Sequence, residues 1–439
     1  MKNYRLLNRL FSFIFIFTFL TSTMDGLNAN AASSPPSLNS EGVVLMDGSS
    51  GEVLYSKNGD TQYFPASTTK IITAQIVLEH TKLDDKVTVG KNPPFADGTS
   101  IGLKEGEIYT VRELLAGLLL ESGNDCAEAL AEHVSGSIEE FSKLMNERAR
   151  EIGAVNSNFT NPSGLPDKNH VTTPKDLALF MKEAVKNKDF VEISKISALE
   201  LPPSNLDGSI RHVNNHNYIL LPNSSYYYPF AVASKKGYTV AAKFTNVISA
   251  EKNGHTLIAS FLKGEGISQV YSDVAKIFDY GFENFARTKI YSEGEEVGSF
   301  KVNEELTVPL LAAKDIYYTT KIGDNSKLNV SLEYETPTNL ATKAFNRGDI
   351  LTTAKVLIDG KEVDSINLAS GITREYTSTL AINSFFEDNK TNIGIFIFLF
   401  LLFILYIRSH NRKKRRRRKF QQKLQKAGNP NNNYKLKKP

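Results

Sequence analysis

The feature that most restricts the fold of this chain is an uncharged run near its C-terminal end. Residues 393–407 carry no charged side chain, and the run reaches seventeen residues when Thr391 and Asn392 are included. A bilayer core needs about 17–25 such residues, and it needs them in a helix because lipid offers backbone amides no hydrogen-bond partner. Since the run has no polar face, we predict a transmembrane helix over 391–407 rather than a helix lying flat on the membrane.

A cationic segment follows that run directly. Residues 412–419 are all Lys or Arg, and residues 408–439 hold 14 Lys and Arg with no acid. Such a cluster is typical of a stop-transfer signal, which predicts that the tail 408–439 is cytoplasmic and that the body is extracellular. Because the whole chain has a net charge of only +4, the part before residue 408 is acidic. This charge balance argues against a nucleic-acid partner.

The N-terminal end has the three-part order of a secretory signal. Lys2, Arg5 and Arg9 precede an apolar run over residues 10–20, and the small-residue site Ala29-Asn30-Ala31 follows. We predict a signal peptide over 1–31, with a buried N-terminal helix as the alternative. Residues 32–40 are rich in Ser and Pro and predict a flexible lead-in linker. The two ends together predict a single-pass protein of the cell membrane.

Cysteine and histidine usage limits the chemistry that is available. Cys126 is the single cysteine, so no internal disulfide can form, and a large core must stabilise the exported body. We expect Cys126 to be a small buried apolar residue. No Cys and His residues have the spacing of metal ligands, and we predict no metal and no cofactor.

The body reads as an α+β catalytic domain over 41–287 followed by a β-rich domain over 288–380. Runs at 42–47 and 52–55 flank Gly48-Ser49-Ser50-Gly51, which indicates a hairpin. Amphipathic helical patterns and further β-rich runs follow. The helical patterns lie at 126–134, 138–152 and 173–185, and the strand patterns lie at 230–234, 239–244 and 256–261. This order favours an antiparallel sheet flanked by helices.

From about residue 290 the pattern changes to short β-rich runs. Four such runs lie at 297–302, 306–311, 316–322 and 328–334. A last pair, 354–358 and 362–368, brackets Asp359-Gly360, a strong hairpin signal. We therefore predict a small all-β domain between the catalytic region and the transmembrane helix.

The segment from Phe64 to Leu78 contains the first candidate for chemistry. Pro65 precedes Ser67-Thr68-Thr69-Lys70, and the residues after Lys70 are apolar at helical spacing. Residues three apart share a helix face, so Ser67 and Lys70 point into one site. A serine hydroxyl needs a neighbouring base, and a desolvated lysine can supply it. Taken alone the pattern is weak, because Ser-x-x-Lys occurs by chance about once or twice in a chain of this length.

Two further motifs follow in the same order as in a known superfamily. Ser122-Gly123-Asn124 and Lys235-Lys236-Gly237 complete the set, which resembles the S-x-x-K, S-x-N and K-T-G motifs of the penicilloyl-serine transferases. Within that superfamily, residues 42–285 resemble the serine D-alanyl-D-alanine carboxypeptidases, the low-molecular-mass penicillin-binding proteins. The resemblance implies a β-lactamase/transpeptidase-like fold. It also implies that the substrates are peptidoglycan stem peptides and that β-lactams are inhibitors.

The resemblance also implies a role for each motif residue. Ser67 would attack the carbonyl of the D-Ala-D-Ala bond, with Lys70 as its general base. Ser122 would relay a proton to the departing D-alanine, and Asn124 would hold the acyl chain and Lys70. Lys235 would lower the pKa of Lys70 and bind the terminal carboxylate of the substrate.

The third motif departs from the family pattern at one position. Lys236 stands where the family has a threonine, whose hydroxyl binds the substrate carboxylate. Lys236 keeps a donor and a charge, but it is longer and lies beside a second cation. Gly237 implies a close approach of the strand, and Thr239 matches the far side of the family motif. The alternative to an active enzyme is a catalytically impaired peptidoglycan- or penicillin-binding protein.

Three other points of the sequence bear on the site. A class A β-lactamase would need a Glu-x-x-Leu-Asn pattern for deacylation, and the chain has none. For His170 we favour packing or capping over contact with substrate. Arg211 either lines the cleft or is a solvated surface residue.

Overall fold

The computed structural model describes residues 34–302, 306–324, 326–335, 340, 343–375, 382, 385–386 and 389–427. The predicted signal peptide 1–31 and the end of the predicted tail, from 428 on, lie outside these residues. Two compact units share the described chain. One unit holds 34–290 with 315–332 and 355–365, and the other holds the described residues of 291–314, of 333–354 and from 366 on.

The part of the chain up to residue 284 mixes helices and strands, and strands dominate from residue 285 to residue 370. The helices are α1 Lys70–His80, α2 Val111–Ala116, α3 Asn124–Ser135, α4 Ile138–Glu151, α5 Pro174–Ala184, α6 Lys188–Lys195, α7 Ile267–Asn284 and α8 Lys390–Ala427. The strands are β1 Gly42–Asp47, β2 Val53–Lys57, β3 Lys86–Thr88, β4 Ile108–Thr110, β5 Ala198–Leu201, β6 Arg211–Asn214, β7 Ala231–Thr239, β8 Lys243–Lys252, β9 His255–Gly264, β10 Phe285–Tyr291, β11 Glu296–Lys301, β12 Thr307–Ala312, β13 Ile316–Lys321, β14 Val330–Tyr334, β15 Ile350–Ile358 and β16 Lys361–Ser370.

The core of the first unit forms on both faces of an antiparallel sheet with strand order β2-β1-β9-β8-β7. Strand β1 is buried throughout, and its side chains alternate between two apolar clusters. Val44 and Met46 pack with residues of α1, α3 and α5, whereas Val43 and Leu45 pack with residues of α7. The predicted antiparallel sheet flanked by helices is therefore confirmed.

The second five-stranded sheet has the order β11-β12-β16-β15-β14, and β10 pairs with β13 in a separate two-stranded sheet. Asp359 and Gly360 connect β15 to β16, and both have positive φ angles, of 51° and 79°. Such a pair matches the right-handed twist of a two-residue hairpin. The predicted hairpin and the predicted all-β region are confirmed.

Two predictions of local structure differ from what is found. Residues 230–234 and 239–244 were expected as two strands flanking the third motif, but β7 runs without interruption through Lys235-Lys236-Gly237. The lead-in also differs from a flexible linker, because Leu38 and Ser40 are buried. The backbone amides of Asn39 and Ser40 donate to the carboxylate of Asp273 on α7, at 2.5 and 3.3 Å.

The C-terminal helix α8 contains the whole of the predicted transmembrane run. Its part Lys390–Gln422 is long and apolar enough to cross a membrane, and it is the one such helix among the described residues. The basic residues 412–419 continue the same helix beyond the apolar run.

Candidate active site

The serine of the first motif lies in a tight turn rather than in the α-helix itself. A 3₁₀ turn over Ala66–Thr69 leads directly into α1. Ala66 has a φ of 50°, in the left-handed region that side chains rarely adopt, so the backbone just before Ser67 is strained. Gly164 packs against this backbone, because a Cβ there would lie 1.9 Å from the carbonyl oxygen of Ala66.

Lys70 is fully buried beneath Ser67, and its side-chain nitrogen donates hydrogen bonds to three neutral oxygens. Its Nζ donates to Ser67 Oγ at 3.2 Å, to Asn124 Oδ1 at 2.6 Å and to the carbonyl oxygen of Ser163 at 2.7 Å. Burial lowers the pKa of Lys70 to about 7, outweighing the raising effects of Cys126 and Asp125. Near neutral pH a large fraction of this amine is therefore free to accept a proton.

The second motif is held at the junction between two helices. A capping box between Thr110 and Glu113 begins α2, and a π-helical turn over Gly117–Glu121 follows it. Ser122 closes that turn with a left-handed φ of 69°. The extra residue in a π turn re-aims the chain, and such turns are frequent at functional sites.

Asn124 begins α3 and is anchored from the other side. Its backbone N–H donates to the carbonyl of Thr99 at 2.7 Å, and its Nδ2 donates to the carbonyl of Asp97 at 2.5 Å. These bonds use the amide donors, so Oδ1 is left to accept from Lys70. Asp125 orders the same loop by accepting from the backbone N–H groups of Ile101 and Leu103.

The third motif places a second buried lysine opposite the first. Lys235 is 1% exposed, and its Nζ donates to Ser122 Oγ at 3.0 Å and to the carbonyl of Lys236 at 3.1 Å. Burial, with the cations Lys70 and Lys236 adding to it, holds the pKa of Lys235 well below its usual range. The amine of Lys235 therefore holds the hydroxyl of Ser122 from the strand side of the cleft.

Lys236 is half-buried, and its ammonium group lies over an aromatic ring. Its Nζ is 4.7 Å from the ring centroid of Tyr218, the geometry of a cation–π contact. Its backbone N–H donates to Oδ1 of the buried Asn217 at 2.9 Å. Burial lowers the pKa of Lys236.

Glycine is required at position 237 for space rather than for backbone freedom. A Cβ there would lie 2.6 Å from the backbone nitrogen of Ser67, 2.6 Å from Thr245 Oγ1 and 3.0 Å from the Cβ of Ala66. The close approach expected from the sequence is therefore found, and its partner is the backbone of Ser67. Thr239 lies outside this contact, and its hydroxyl accepts from the N–H of Ala242 at 3.0 Å in the turn between β7 and β8.

The three motifs meet at one cavity of about 340 Å³, which we call the cleft. Five residues predicted from the sequence line it: Ser67, Ser122, Lys235, Lys236 and Gly237. Lys70 and Asn124 are in contact with one another beneath Ser67. Thr239 is not among the residues that line the cleft.

Several contributors to the site were not identified from the sequence. Glu121 and His216 line the cleft and are hydrogen-bonded to one another at 2.9 Å across 95 residues of chain. The carbonyl of Ser163 is a partner of Lys70, and a backbone acceptor has no sequence signature. The one available signal was the position of Glu121, directly before Ser122.

The other residues considered from the sequence, His170, Arg211 and Cys126, are buried or paired within the fold and do not line the cleft. His170 is buried, bonds to Thr69 Oγ1 at 2.9 Å and has its pKa lowered to about 4 by burial, as packing predicts. Arg211 neither lines the cleft nor faces solvent, because it pairs with the buried carboxylate of Glu107 at 2.9 Å. Cys126 is fully buried. Across the described ranges, no group of three or more His, Cys, Asp and Glu could hold a metal ion.

Comparison with known proteins decides the family. Residues 28–266 match the family model of peptidase S11, D-alanyl-D-alanine carboxypeptidase. The chain belongs to this family. Residues 285–375 of the carboxypeptidase-family chain match the C-terminal domain of penicillin-binding protein 5.

Relatives from several bacteria support the assignment to the S11 family. The chain is 31% identical over 327 residues to the D-alanyl-D-alanine carboxypeptidase DacF of Bacillus subtilis, which spans 72% of this chain and 81% of the relative. It is 33% identical over 244 residues to DacB2 of Mycobacterium tuberculosis, covering 54% of this chain and 81% of the relative. The crystal structure of penicillin-binding protein 5 from Haemophilus influenzae superposes with a TM-score of 0.60 at 26% identity, covering 78% of this chain and 99% of that one.

Proposed function

We propose that this chain is a membrane-anchored serine carboxypeptidase that removes the terminal D-alanine from peptidoglycan pentapeptides through an acyl-enzyme. The observation that carries the proposal is the contact between Lys70 Nζ and Ser67 Oγ at 3.2 Å. The hydrogen-bond acceptors of Lys70 are neutral oxygens, and burial leaves its amine partly uncharged near pH 7. An amine in that state can take the hydroxyl proton of Ser67.

In the acylation step, Lys70 takes the proton of Ser67 while Oγ attacks the carbonyl carbon of the D-Ala-D-Ala bond. The negative charge passes to the carbonyl oxygen, which the backbone N–H of Ser67 and one from β7 just after Gly237 stabilise. The C–N bond then breaks as Ser122 donates its proton to the leaving nitrogen and regains one from Lys70. Free D-alanine and a Ser67 ester result.

In the deacylation step, water replaces the leaving amine. Lys70, neutral again, takes a proton from the water as its oxygen attacks the ester carbon. The ester C–O bond breaks, Ser67 regains a proton, and the shortened peptide leaves. Asn124 keeps Lys70 in position through both steps.

The carboxylate end of the substrate would bind along the strand wall, the side of the cleft formed by Lys235, Lys236 and Gly237 of β7. Lys235 and Lys236 present two amino groups to the cleft, and the described residues place no carboxylate within ion-pair distance of either. Burial lowers the pKa of both amines, and a bound anion would favour their charged forms. A terminal carboxylate would supply the missing counter-charge. β-Lactams carry a carboxylate beside a strained amide, so they would acylate Ser67 in the same way, and their ring nitrogen would stay attached.

Lys236 also supports a second candidate function. A lysine where the family has threonine can bind the carboxylate as a point charge, but it lacks the short hydroxyl of threonine. If this geometry slows hydrolysis, the protein would form a stable acyl-enzyme and act as a penicillin- and peptidoglycan-binding protein. The two candidates differ in turnover, not in acylation.

The location proposed for this activity is the outer face of the cell membrane. Helix α8 would be the anchor, and the basic residues 412–419 would stay in the cytoplasm. Protease added to intact protoplasts would then remove the body and spare an epitope placed after residue 427. Loss of that epitope with the body intact would reverse the topology.

The deciding experiment uses the full chain in detergent, a fluorescent penicillin and a D-Ala-D-Ala tripeptide. We expect the parent to be labelled and to release D-alanine, and Ser67→Ala to do neither. Ser268→Ala is the matched control, because Ser268 is an exposed residue on α7. Labelling that survives in Ser67→Ala would overturn the assignment of the nucleophile.

The variant Lys236→Thr separates the two candidate functions. A parent that labels and releases D-alanine supports the carboxypeptidase. A parent that labels without releasing D-alanine, while Lys236→Thr releases it, supports the binding protein.

A further inference from the structure

Residues 215–217, which we call the bridge, lie between β6 and a 3₁₀ turn over Tyr218–Leu220. They belong to the same compact unit as the three motifs. Asn215 and Asn217 are buried, whereas His216 between them is half-buried and lines the cleft together with Glu121. The bridge is therefore anchored by its two asparagines and contributes one side chain to the cleft.

One side of the bridge is bonded to the π-helical turn before the second motif. The backbone N–H of His216 donates to the carbonyl of Leu120 at 3.2 Å, and Nδ2 of Asn217 donates to the carbonyl of Leu119 at 3.2 Å. The ring of His216 is also hydrogen-bonded to the carboxylate of Glu121, at 2.9 Å. Three successive residues of the turn are therefore partners of the bridge.

The other side of the bridge is bonded to β7, which is an edge strand of the five-stranded sheet. In an antiparallel sheet the N–H groups of alternate residues point to opposite sides of a strand. The backbone N–H of Lys236 points away from β8, because it donates to Oδ1 of Asn217 at 2.9 Å. The next N–H on this edge belongs to Tyr238, directly after Gly237, and it is the group that we assigned to the carbonyl oxygen of the substrate. The bridge therefore occupies the strand edge just before that N–H.

The reaction proposed above gives the substrate a direction along this edge. Its carbonyl oxygen lies at the N–H of Tyr238, and its terminal carboxylate lies near the amines of Lys235 and Lys236. The departing D-alanine is then at the Lys236 end of the edge, and the rest of the peptide extends past Tyr238. A residue added after the terminal D-alanine would lie where Asn217 already accepts from the N–H of Lys236.

We propose that the bridge ends the cleft one residue beyond the scissile bond and so restricts this protein to the last residue of a peptide. Asn217 holds the N–H that a longer peptide would need, and His216 with Glu121 occupies the end of the cleft beside it. Bonds to Lys236 and Leu119 keep Asn217 in place. His216 and Asn217 thus determine specificity by excluding the wrong substrate. This restriction rests on the proposed function, from which the direction of the substrate is taken.

Charge alone is the alternative source of the same preference. The amines of Lys235 and Lys236 would favour a terminal carboxylate wherever the cleft ends. A test of the bridge must therefore change the length of the peptide and leave its charge the same.

The test compares two neutral peptides, one ending in D-Ala-D-Ala amide and the other in D-Ala-D-Ala-Gly amide. Each has a fluorophore at its N-terminal end, and each is titrated with the full chain carrying Ser67→Ala in detergent. Fluorescence anisotropy then gives the two dissociation constants without turnover. We expect the longer peptide to bind at least about tenfold more weakly, because it lacks the edge hydrogen bond and meets the bridge.

Two variants of the bridge, each combined with Ser67→Ala, should reduce this length preference. His216→Ala removes the ring from the end of the cleft, and Asn217→Ala frees the N–H of Lys236. Each should lower the ratio of the two dissociation constants at least about threefold, because the longer peptide binds more tightly. His212→Ala is the matched control, since His212 is exposed on β6 and does not line the cleft.

The ratio separates specificity from stability, because a loss of folding weakens both peptides alike. If Asn217→Ala does not fold, His216→Ala alone decides. Equal binding of the two amides in the Ser67→Ala chain would overturn the proposal, and so would a ratio that His216→Ala leaves unchanged. Release of D-alanine by the parent is measured separately, so a failure of the proposed hydrolysis is distinguished from a failure of the bridge.

Discussion

The two sides of the cleft both carry lysine. On the helical wall, formed by Ser67 with Lys70 beneath it at the start of α1, Lys70 is enclosed and makes three hydrogen bonds to neutral oxygens. The strand wall instead presents two adjacent lysines that differ in their environments. Lys235 is buried and bonded to Ser122, but Lys236 is half-buried over the ring of Tyr218. Proton transfer from Ser67 needs a fixed, uncharged amine, and burial provides it. Capture of a substrate carboxylate needs positive charge that solvent and ligand can reach. We therefore expect Lys70 to act as an uncharged base, and Lys236, the more exposed of the two strand lysines, to supply the positive charge that attracts the carboxylate.

Removing the amine of Lys70 should have the largest effect on the acylation rate. We expect Lys70→Met to slow acylation by fluorescent penicillin by about 10²- to 10⁴-fold, the usual range for loss of a general base. Lys182→Met is the control, since Lys182 is largely buried but does not line the cleft. A rate within tenfold of the parent would show that another group takes the proton of Ser67.

Filling the space between Gly237 and the backbone of Ser67 should have the next largest effect on acylation. Gly237→Ala puts a Cβ 2.6 Å from the backbone nitrogen of Ser67, so β7 or the serine turn must move. We expect a stability loss of about 1–3 kcal/mol, as for other overpacked sites, and a clear fall in acylation rate. Gly208→Ala should change neither, because a Cβ there meets nothing within 4 Å. Thermal unfolding and penicillin labelling together test this, and an unaltered labelling rate would contradict the contact.

The charge state of Lys70 predicts how the acylation rate depends on pH. Lys70 accepts a proton only when neutral, and its pKa is about 7, so acylation should fall about tenfold per pH unit below pH 7 and level off above it. His170, with a pKa of about 4, does not change charge in this range. Labelling rates from pH 5 to pH 9, with circular dichroism to verify folding, measure the profile. A flat profile would remove Lys70 from the role of base.

Changes at the exposed part of the strand wall should have the smallest effect. Lys236→Met removes one of the two lysine amines that we propose to bind the carboxylate, so we expect KM for D-alanine release to rise roughly threefold to tenfold with kcat nearly unchanged, the pattern of lost uniform binding. Lys252→Met is the control, because Lys252 makes a similar contact with Phe230 away from the cleft. A fall in kcat with constant KM would instead place Lys236 in the chemical step.

The sequence predicted the parts of the site that depend on local spacing. Ser67 and Lys70 are one helical turn apart, so their spacing alone predicted a shared site. Ser122 and Asn124 were predicted from the resemblance to the family motifs. The run of β7 through Lys235 was missed, because two lysines and a glycine look like a break between strands. They stay in the strand because the long side chain of Lys235 reaches Ser122 and Gly237 makes room for Ser67.

The features of the site that the sequence did not predict depend on contacts between residues far apart in the chain. Glu121 meets His216 across 95 positions. Arg211 was left between two interpretations, and its buried partner Glu107 lies 104 positions away. Such pairs have no periodic signal, because their register is set by how the sheet and helices pack.

The π-helical turn over Gly117–Glu121 also affects the direction in which Ser122 leaves its helix. A π turn holds one residue more than a regular α-helical turn, and here it forms the last turn before the helix ends at the left-handed Ser122. Because each residue of a regular α-helix turns the chain by about 100°, a regular last turn would let the chain leave the helix at a different angle. The contact of Ser122 with Lys235 therefore depends on one extra residue at the end of a helix.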